Sequence, residues 1–111
     1  MILEFENCVL NSDTRVLWRN GWPVQLQPKV MDLLIVLAEN HARFVSKSEL
    51  YARLWGGAHV ANASLLRLVR ELRRALGDDG VNPRLIRTLH SRGYHFIADV
   101  RDRSAAPMAL Q

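Results

Sequence analysis

The chain has 111 residues with a formal net charge of +4, and 49% of its residues are hydrophobic. That length fits one compact domain with a modest core and excludes two domains of ordinary size. The lone Cys8 excludes an internal disulfide or a cysteine metal cluster, and no apolar run approaches the ~20 residues of a membrane span. Since the N-terminus also lacks the residue order of a signal peptide, we expect one domain in the reducing cytoplasm.

The excess positive charge lies in one half of the chain. Residues 1–60 carry six Lys or Arg and six Asp or Glu, whereas residues 61–111 carry nine Arg and five acidic residues. Arginine suits bidentate contacts to phosphate and guanine, so this pattern favours a polyanionic partner. The alternative is a surface charge that only keeps the domain soluble, and net charge alone does not separate the two.

The first 26 residues predict a small antiparallel meander. Short apolar runs of strand length lie at residues 2–5, 9–10, 15–18 and 24–26. The Asn20-Gly21 pair between the last two runs is a strong signal for a tight hairpin. The three tryptophans are predicted to pack within the fold rather than stack on nucleic-acid bases: Trp18, Trp22 and Trp55. Of these, only Trp55 remains a candidate for contact with nucleic acid.

Two helices are predicted between residues 28 and 55. Pro28 opens the first, which carries a broad apolar stripe and ends near residue 40. Ser46 and Glu49 form a capping box at the start of the second, which ends before a Gly-Gly pair. A two-residue extended link is expected between the two helices.

The stretch from Asn62 to Leu76 predicts an amphipathic third helix, capped by Asn62 or its neighbour and ended by Gly77. Its apolar residues follow helical spacing and define one face: Leu65, Leu68, Val69, Leu72 and Leu76. At 100° per residue, the arginines fall within about 60° of one another on the opposite face: Arg67, Arg70 and Arg74, with Arg73 at the shoulder.

A capped helix, a short turn and an Arg-faced helix occur in the order of a helix-turn-helix, whose second helix enters the major groove of DNA. Ala63, Ser64 and Leu66 lie near the N-terminal end of that second helix. Small side chains there permit close approach, and a leucine can meet a thymine methyl group. The alternative is a solvated arginine face on an ordinary bundle helix.

Residues 85–97 predict a β-hairpin with a tight turn. The basic residues on or near the turn are Arg87, His90 and Arg92. Such a hairpin can follow the DNA backbone or reach the adjacent minor groove, where the negative potential attracts Arg and His. The alternative is a hairpin that only closes the core through its two aromatic residues.

Catalytic and metal-binding motifs are weak or missing in the sequence. Asp78 and Asp79 look like a paired acid site but directly follow a helix end beside a glycine, as turn residues do. The four histidines lack ligand spacing, although His90 and His95 could face each other across one hairpin. Phosphate-binding, nucleophile-elbow and zinc-protease motifs are absent. We therefore predict neither an enzyme nor a cofactor or metal site.

The order of these elements resembles the winged helix-turn-helix domain of the OmpR/PhoB type, the effector domain of many bacterial response regulators; ToxR/CadC-like regulators carry the same domain at their N-terminus. The matching stretches are L-Q-P-K-V-M-D-L-L-I-V-L from Leu26, V-S-K-S-E-L-Y-A-R-L-W-G from Val45, the helix that ends L-R-R-A-L-G at Gly77, and I-R-T with R-G-Y-H-F between Ile86 and Phe96. The resemblance covers nearly all of residues 2–98. It implies an α+β fold with a four-stranded antiparallel N-terminal sheet, three helices and a C-terminal β-hairpin wing.

The resemblance also implies site residues by position. These are phosphate contacts from Lys47 and Trp55, DNA contacts from Arg70 and Arg73, and wing contacts from Thr88 and His90. The sequence departs from the family at Glu71, where some relatives have a DNA-contacting Arg; a carboxylate there accepts from cytosine N4 or repels phosphate. His90 replaces an Arg common at the wing tip, which makes insertion into the minor groove weaker or pH-dependent. The complete predicted DNA-binding set is Lys47, Trp55, Ala63, Ser64, Leu66, Arg67, Arg70, Glu71, Arg73, Arg74, Arg87, Thr88, His90 and Arg92.

The sequence thus predicts sequence-specific binding to double-stranded DNA by a bacterial transcriptional regulator, with residues 62–76 in the major groove and residues 85–97 on the backbone or in the minor groove. The domain is expected to span residues 1–100. Residues 101–111 would form a flexible tail or a linker to a missing sensor, transmembrane or repeat domain, which could anchor the full-length protein in a membrane. RNA polymerase and a second copy placed head-to-tail on DNA are further expected partners. The alternative is a winged-helix protein-interaction module without DNA binding, which Glu71 and His90 keep open.

Overall fold

The structure, a computed structural model, describes residues 1–58 and 60–104. Its elements in chain order are β1 (Ile2–Phe5), β2 (Cys8–Asn11), β3 (Val16–Arg19), β4 (Trp22–Val24), α1 (Pro28–Glu39), β5 (Phe44–Ser46), α2 (Lys47–Trp55), α3 (Asn62–Leu76), β6 (Ile86–Leu89), β7 (Gly93–Phe96) and β8 (Val100–Asp102). The chain divides into two compact units, one formed by residues 1–25 together with the chain from residue 98 onward, and the other by residues 26–97. The predicted α+β class with three helices and a C-terminal hairpin is confirmed.

The first unit is an antiparallel sheet with the strand order β4-β3-β2-β1-β8. Alternate residues of the central strands are buried, as expected for a sheet with one covered face: Leu3, Phe5, Cys8, Leu10 and Leu17. Asn20 and Gly21 join β3 to β4, both with positive φ (54° and 80°), which is the backbone that a two-residue hairpin of matching twist requires. The predicted four-strand meander is therefore present.

A fifth strand joins this sheet from the far end of the chain. Strand β8 pairs with β1, where Glu4 lies opposite Arg101, and the Ser104 hydroxyl accepts from the Ile2 N–H at 2.7 Å. The sequence predicts a flexible tail or a linker from Arg101 onward, because three residues without periodicity give no strand signal by themselves. The difference arises because the otherwise unpaired edge of β1 supplies the hydrogen bonds. The rest of the predicted tail, residues 105–111, lies outside the described residues.

Two tryptophans of this sheet face solvent. Trp18 is 42% exposed and Trp22 is 75% exposed, so the predicted packing role is wrong for both. Trp18 lies opposite Val9 and Pro23, on the strand face alternate to the buried Leu17. The alternation of the strands, and not the size of the side chain, decides its exposure.

The second unit places three helices around a three-stranded sheet of order β5-β7-β6. Helix α1 packs against α2, α3 and β7. Its buried stripe follows the helical period of the sequence and consists of Val30, Met31, Leu33, Leu34, Leu37 and Ala38. No helix within the described part of the chain is long and apolar enough to cross a membrane.

Local capping signals set the ends of α2 and α3. The Ser46 hydroxyl accepts from the Glu49 N–H at 3.1 Å, which confirms the predicted cap of α2. Helix α3 ends at Gly77 in the left-handed conformation, also as predicted. Its N-cap is Ala61, the neighbour of Asn62 and the second of the two predicted positions, and no side chain accepts a hydrogen bond there. Asn62 instead accepts from the Tyr51 hydroxyl at 3.0 Å and thereby links α2 to the start of α3.

The predicted extended link between α1 and α2 is a strand, β5, paired with β7. The two strands approach unusually closely at Gly93, which lies opposite Ser46. A Cβ atom at Gly93 would lie 2.1 Å from the carbonyl oxygen of Val45, closer than real Cβ atoms come to any heavy atom. Only glycine at this position lets the hairpin dock beside the N-terminus of α2.

Candidate nucleic-acid interface

Helix α3 buries one face and exposes the other, as its sequence period predicts. Its apolar residues are each at most 3% exposed: Leu65, Leu68, Val69, Leu72 and Leu76. On the other side, Arg67, Arg70 and Arg74 are exposed and Arg73 is half-buried. The predicted amphipathic helix is confirmed, and it presents guanidinium groups to solvent.

The predicted site residues differ in exposure. Those exposed to solvent are Ala63, Leu66, Arg67, Arg70, Arg74, Arg87, Thr88, His90 and Arg92. Those that are half-buried are Lys47, Trp55, Ser64, Glu71 and Arg73. Each therefore keeps some surface available to a partner.

The hairpin formed by β6 and β7 is called the wing. An open groove of about 540 Å³ lies between α3 and the wing. Predicted site residues line it from both sides: Leu66, Arg70, Arg73, Arg74 and Thr88. Asp78 and Asp79 line it as well. The structure thus brings the helix and the wing into one surface, whereas Lys47 and Trp55 belong to α2.

Four exposed arginines have side chains without a hydrogen-bond or ion-pair partner within residues 1–58 and 60–104: Arg70, Arg74, Arg87 and Arg92. Each guanidinium carries five N–H donors that are satisfied only by water. These four are therefore the basic groups most available to an external anion.

Arg67 differs because Glu71 neutralises it. The two side chains lie one helical turn apart, with 3.4 Å between a guanidinium nitrogen of Arg67 and a carboxylate oxygen of Glu71. Such exposed pairs contribute only about 0.3–0.5 kcal/mol to a helix. The contact nevertheless gives Glu71 a role besides the two weighed from sequence, because it constrains an arginine on the recognition face.

Asp78 fastens the start of the wing to the end of α3. One carboxylate oxygen accepts from the backbone N–H of Arg84 at 2.8 Å and of Leu85 at 3.2 Å, and the other accepts from Ile86 at 2.9 Å. Burial alone would raise the pKa of Asp78, but the backbone donors, those of Arg84 and Ile86 foremost, outweigh burial and hold the pKa below its usual value.

The sequence analysis recognised Asp78 only as a turn residue and missed this anchoring role. The available signal was an acidic residue directly after the glycine that ends α3, a position from which a short side chain can accept from nearby backbone N–H groups. Its partners, however, lie six to eight residues further along the chain, and nothing in the local pattern identifies them.

The turn of the wing contacts the start of α2. The backbone N–H of Lys47 donates to the carbonyl oxygen of Arg92 at 2.9 Å, which places two predicted DNA-binding residues side by side. Nearby, the Glu49 carboxylate lies 2.7 Å from Arg43 and 3.2 Å from Arg53. The hydrogen bonds from Arg43 hold the pKa of Glu49 below its usual value. This pairing occupies Arg43 and Arg53, neither of which was predicted as a site residue.

Trp55 is held at the end of α2 by groups that the sequence analysis did not connect. The Lys29 ammonium of α1 donates to the Leu54 carbonyl oxygen and lies 5.9 Å from the centre of the Trp55 ring. The Tyr51 ring lies 5.9 Å from the same ring, tilted by 38°. Cation and aromatic ring together fix the orientation of this half-buried side chain.

The two histidines of the wing do not form a pair. His95 lies on β7 opposite Arg87, and its Nε2 lies 3.0 Å from the carbonyl oxygen of His41. His90 lies in the turn and is exposed. The alternative in which they face each other across the hairpin is therefore wrong, because strand pairing places Gly93 opposite Leu89 at the last register position before the turn.

Residues 21–96 match the family described as "Transcriptional regulatory protein, C terminal", which covers more than half of the chain. The chain belongs to this family. It is thus a winged helix-turn-helix domain of the OmpR/PhoB type, a family of DNA-binding domains of transcriptional regulators, and the predicted resemblance is confirmed.

Related proteins agree with this assignment. The OmpR/PhoB-type domain is 38% identical over 92 residues to the transcriptional regulator HilA of Salmonella typhi, a match that covers 83% of the chain and 16% of HilA. It superimposes on the DNA-binding domain of Escherichia coli CadC with a TM-score of 0.75 and 27% identity, covering 90% of the chain and 94% of that domain. The fold also matches the Klebsiella pneumoniae RstA DNA-binding domain in complex with RstA box, with a TM-score of 0.77, 24% identity and coverage of 86% and 95%. The chain therefore spans about a sixth of the length of HilA.

Proposed function

We propose that this domain binds specific sequences of double-stranded DNA, with α3 in the major groove and the wing on the adjacent backbone or in the minor groove. The observation that carries the proposal is the pair of exposed arginines on α3, Arg70 and Arg74, which lie beside a groove that the wing completes. Neither side chain has a hydrogen-bond or ion-pair partner among the described residues. The buried rear face of α3 fixes the helix, so its basic face is held as a rigid surface. A rigid helix with long cationic side chains is what major-groove docking requires.

Affinity and specificity are assigned to different residues. Phosphate contacts supply most of the affinity and come from Lys47, Trp55, Arg74, Arg87, Thr88, His90 and Arg92. Base contacts supply specificity and come from the exposed side of α3: Ala63, Ser64, Leu66, Arg67, Arg70 and Glu71. Because Arg67 and Glu71 form an ion pair, the two side chains either contact bases in the major groove as a pair or separate when DNA binds.

The test is selection of bound sites from a random duplex pool, followed by affinity measurements on the selected site. A recurring motif of fixed sequence is expected. If about five phosphates are neutralised, the slope of log K against log [salt] should be roughly −4 to −5, since each contributes about −0.9. Selection without a motif, or an affinity independent of salt, would overturn the proposal.

Further partners are proposed from the family to which the domain belongs. We propose that the domain works within a longer bacterial regulator, as it corresponds to 16% of HilA, and that it controls transcription with RNA polymerase as a protein partner. A second copy would bind head-to-tail on direct repeats. Footprinting on the selected DNA tests the last point: two protected half-sites in the same orientation support it, and an inverted arrangement contradicts it.

A further inference from the structure

The guanidinium of Arg73 is directed into the protein, unlike those of its neighbours on α3. Its Nη2 donates to the carbonyl oxygen of Ile86 at 2.9 Å and to the hydroxyl oxygen of Thr88 at 2.8 Å. Both acceptors lie on β6, an outer strand of the three-stranded sheet. An Nη group has two hydrogens, so these two bonds use both.

The remaining nitrogens of Arg73 are enclosed as well. Nη1 lies 3.2 Å from the position that a Cβ atom would occupy at Gly80, so the link between α3 and β6 runs close beside it. Nε is buried and has no hydrogen-bond partner within the described part of the chain. Arg73 therefore has little freedom to leave β6 for an external phosphate.

Thr88 is the exposed end of this arrangement. Its Cα lies opposite that of Tyr94, whose side chain is only 2% exposed, so the strand position is fixed. Because the Thr88 oxygen accepts from a cationic donor, its own hydroxyl proton cannot be donated to Arg73 and is left for another acceptor, and Thr88 is exposed and lines the groove. A hydroxyl that accepts a charge-assisted hydrogen bond is polarised and becomes a stronger donor.

We propose that Arg73 is a positioning residue that does not contact DNA: it fixes the wing to the recognition helix and orients the Thr88 hydroxyl as a donor to a DNA phosphate. This inference rests on the proposed function and changes one part of it, because the sequence analysis assigned Arg73 to the DNA contacts. A lysine in place of Arg73 keeps the charge but is a single point donor that cannot reproduce the planar fork.

The experiment measures affinity for the selected DNA site over a range of salt concentrations for Arg73→Gln, Arg73→Lys, Thr88→Val, Thr88→Ser and the Arg73→Gln/Thr88→Val double variant. Arg73→Gln, Arg73→Lys and Thr88→Val are each expected to weaken binding roughly tenfold. Thr88→Ser, which keeps the hydroxyl, should stay within about threefold of the wild type. The double variant should bind no more than about twofold more weakly than either single variant, because the two residues act as one unit.

Arg74→Gln is the matched control, since Arg74 is exposed on the same helix and the proposed function makes it a direct phosphate contact. It is expected to reduce the salt slope by up to about 0.9, whereas the Arg73 variants should give less than half of that reduction. Wild-type affinity of Arg73→Lys together with a full slope reduction by Arg73→Gln would overturn the positioning role and leave DNA binding intact. Thr88 variants keep the test valid if Arg73 variants fail to fold: wild-type affinity of Thr88→Val overturns the inference. Absence of salt-dependent binding in the wild type would instead overturn the proposed function.

Discussion

The base and the tip of the wing are built on opposite principles. The base, defined here as Asp78–Thr88, is held by three backbone hydrogen bonds to Asp78 and two bonds from Arg73. Gly93, although it lies beside the tip, is fixed as well, by a strand approach that only glycine permits. The tip, defined as His90–Arg92, has a left-handed Ser91 (φ 63°) and exposed side chains.

The difference separates stability from recognition. The charged side chains at the base form hydrogen bonds within the protein and set the position of the hairpin. Those at the tip remain available to an external anion. Substitutions at the base should therefore lower the free energy of unfolding, and substitutions at the tip should alter DNA affinity alone. Four predictions, from the largest expected effect to the smallest, test this division.

Gly93→Ala should have the largest effect. The new methyl group would lie 2.1 Å from the Val45 carbonyl oxygen, so β5 and β7 must separate. We expect the free energy of unfolding to fall by about 3 kcal/mol or more, measured by denaturant titration. Gly80→Ala is the control, because its methyl group would lie 3.2 Å from Arg73 Nη1, a contact that a shift of a few tenths of an ångström relieves, and should cost less than about 1 kcal/mol. Equal losses in the two variants would contradict the close-approach argument.

Asp78→Ala should lower the free energy of unfolding by roughly 2–3 kcal/mol, because three backbone donors lose a charged acceptor. The loss should depend on pH. Since the folded-state pKa of Asp78 lies below its ordinary value, its contribution is present above the unfolded pKa of about 3.9 and disappears as pH falls through the folded pKa. The stability difference between wild type and Asp78→Asn should therefore be constant near pH 7 and shrink below about pH 4.

Asp79→Asn is the matched control for that measurement. Asp79 is exposed, and among the described residues its side chain accepts from the Val81 N–H at 2.9 Å, a bond that asparagine can also accept. Its substitution should change stability by less than about 0.5 kcal/mol. A comparable loss in both variants would show that Asp78 has no special anchoring role.

Arg70→Ala should weaken DNA binding by about 1–3 kcal/mol if Arg70 reads a base, and by less if it meets only phosphate. Its stability should stay within about 0.5 kcal/mol of the wild type, because the side chain has no internal partner among the described residues. Arg101→Ala removes the same charge from the first unit and should leave affinity nearly unchanged. Unchanged binding by Arg70→Ala would remove Arg70 from the interface.

His90 at the tip should give the smallest effect. His90→Arg, which adds a permanent positive charge at the tip, should bind roughly two- to fivefold more tightly than the wild type, measured on the selected DNA site. The substitution should not alter stability, because the side chain is exposed. Unchanged affinity of His90→Arg would place His90 outside the interface.

The sequence by itself determined the elements whose signals are local. The apolar spacing of α3 predicted both of its faces, because a 3.6-residue period leaves one face to the core whatever the surroundings. Ser46, Gly77 and the Asn20-Gly21 pair predicted their cap or turn correctly, because backbone hydrogen bonding and allowed φ angles depend on a few neighbouring residues. Together with the order of the elements, these signals were sufficient to identify the family.

Only the tertiary structure decided which charged side chains are bonded to other residues of the protein. Arg70 and Arg73 lie three positions apart on the same helix, yet Arg70 faces solvent and Arg73 bonds to β6, 13 to 15 residues away. Strand β8 formed because an edge of β1 was available, and Asp78 gained its role from donors beyond the reach of any local pattern. Contacts between residues distant in the sequence are set by how the helices and strands pack against one another. No short stretch of the sequence predicts that packing.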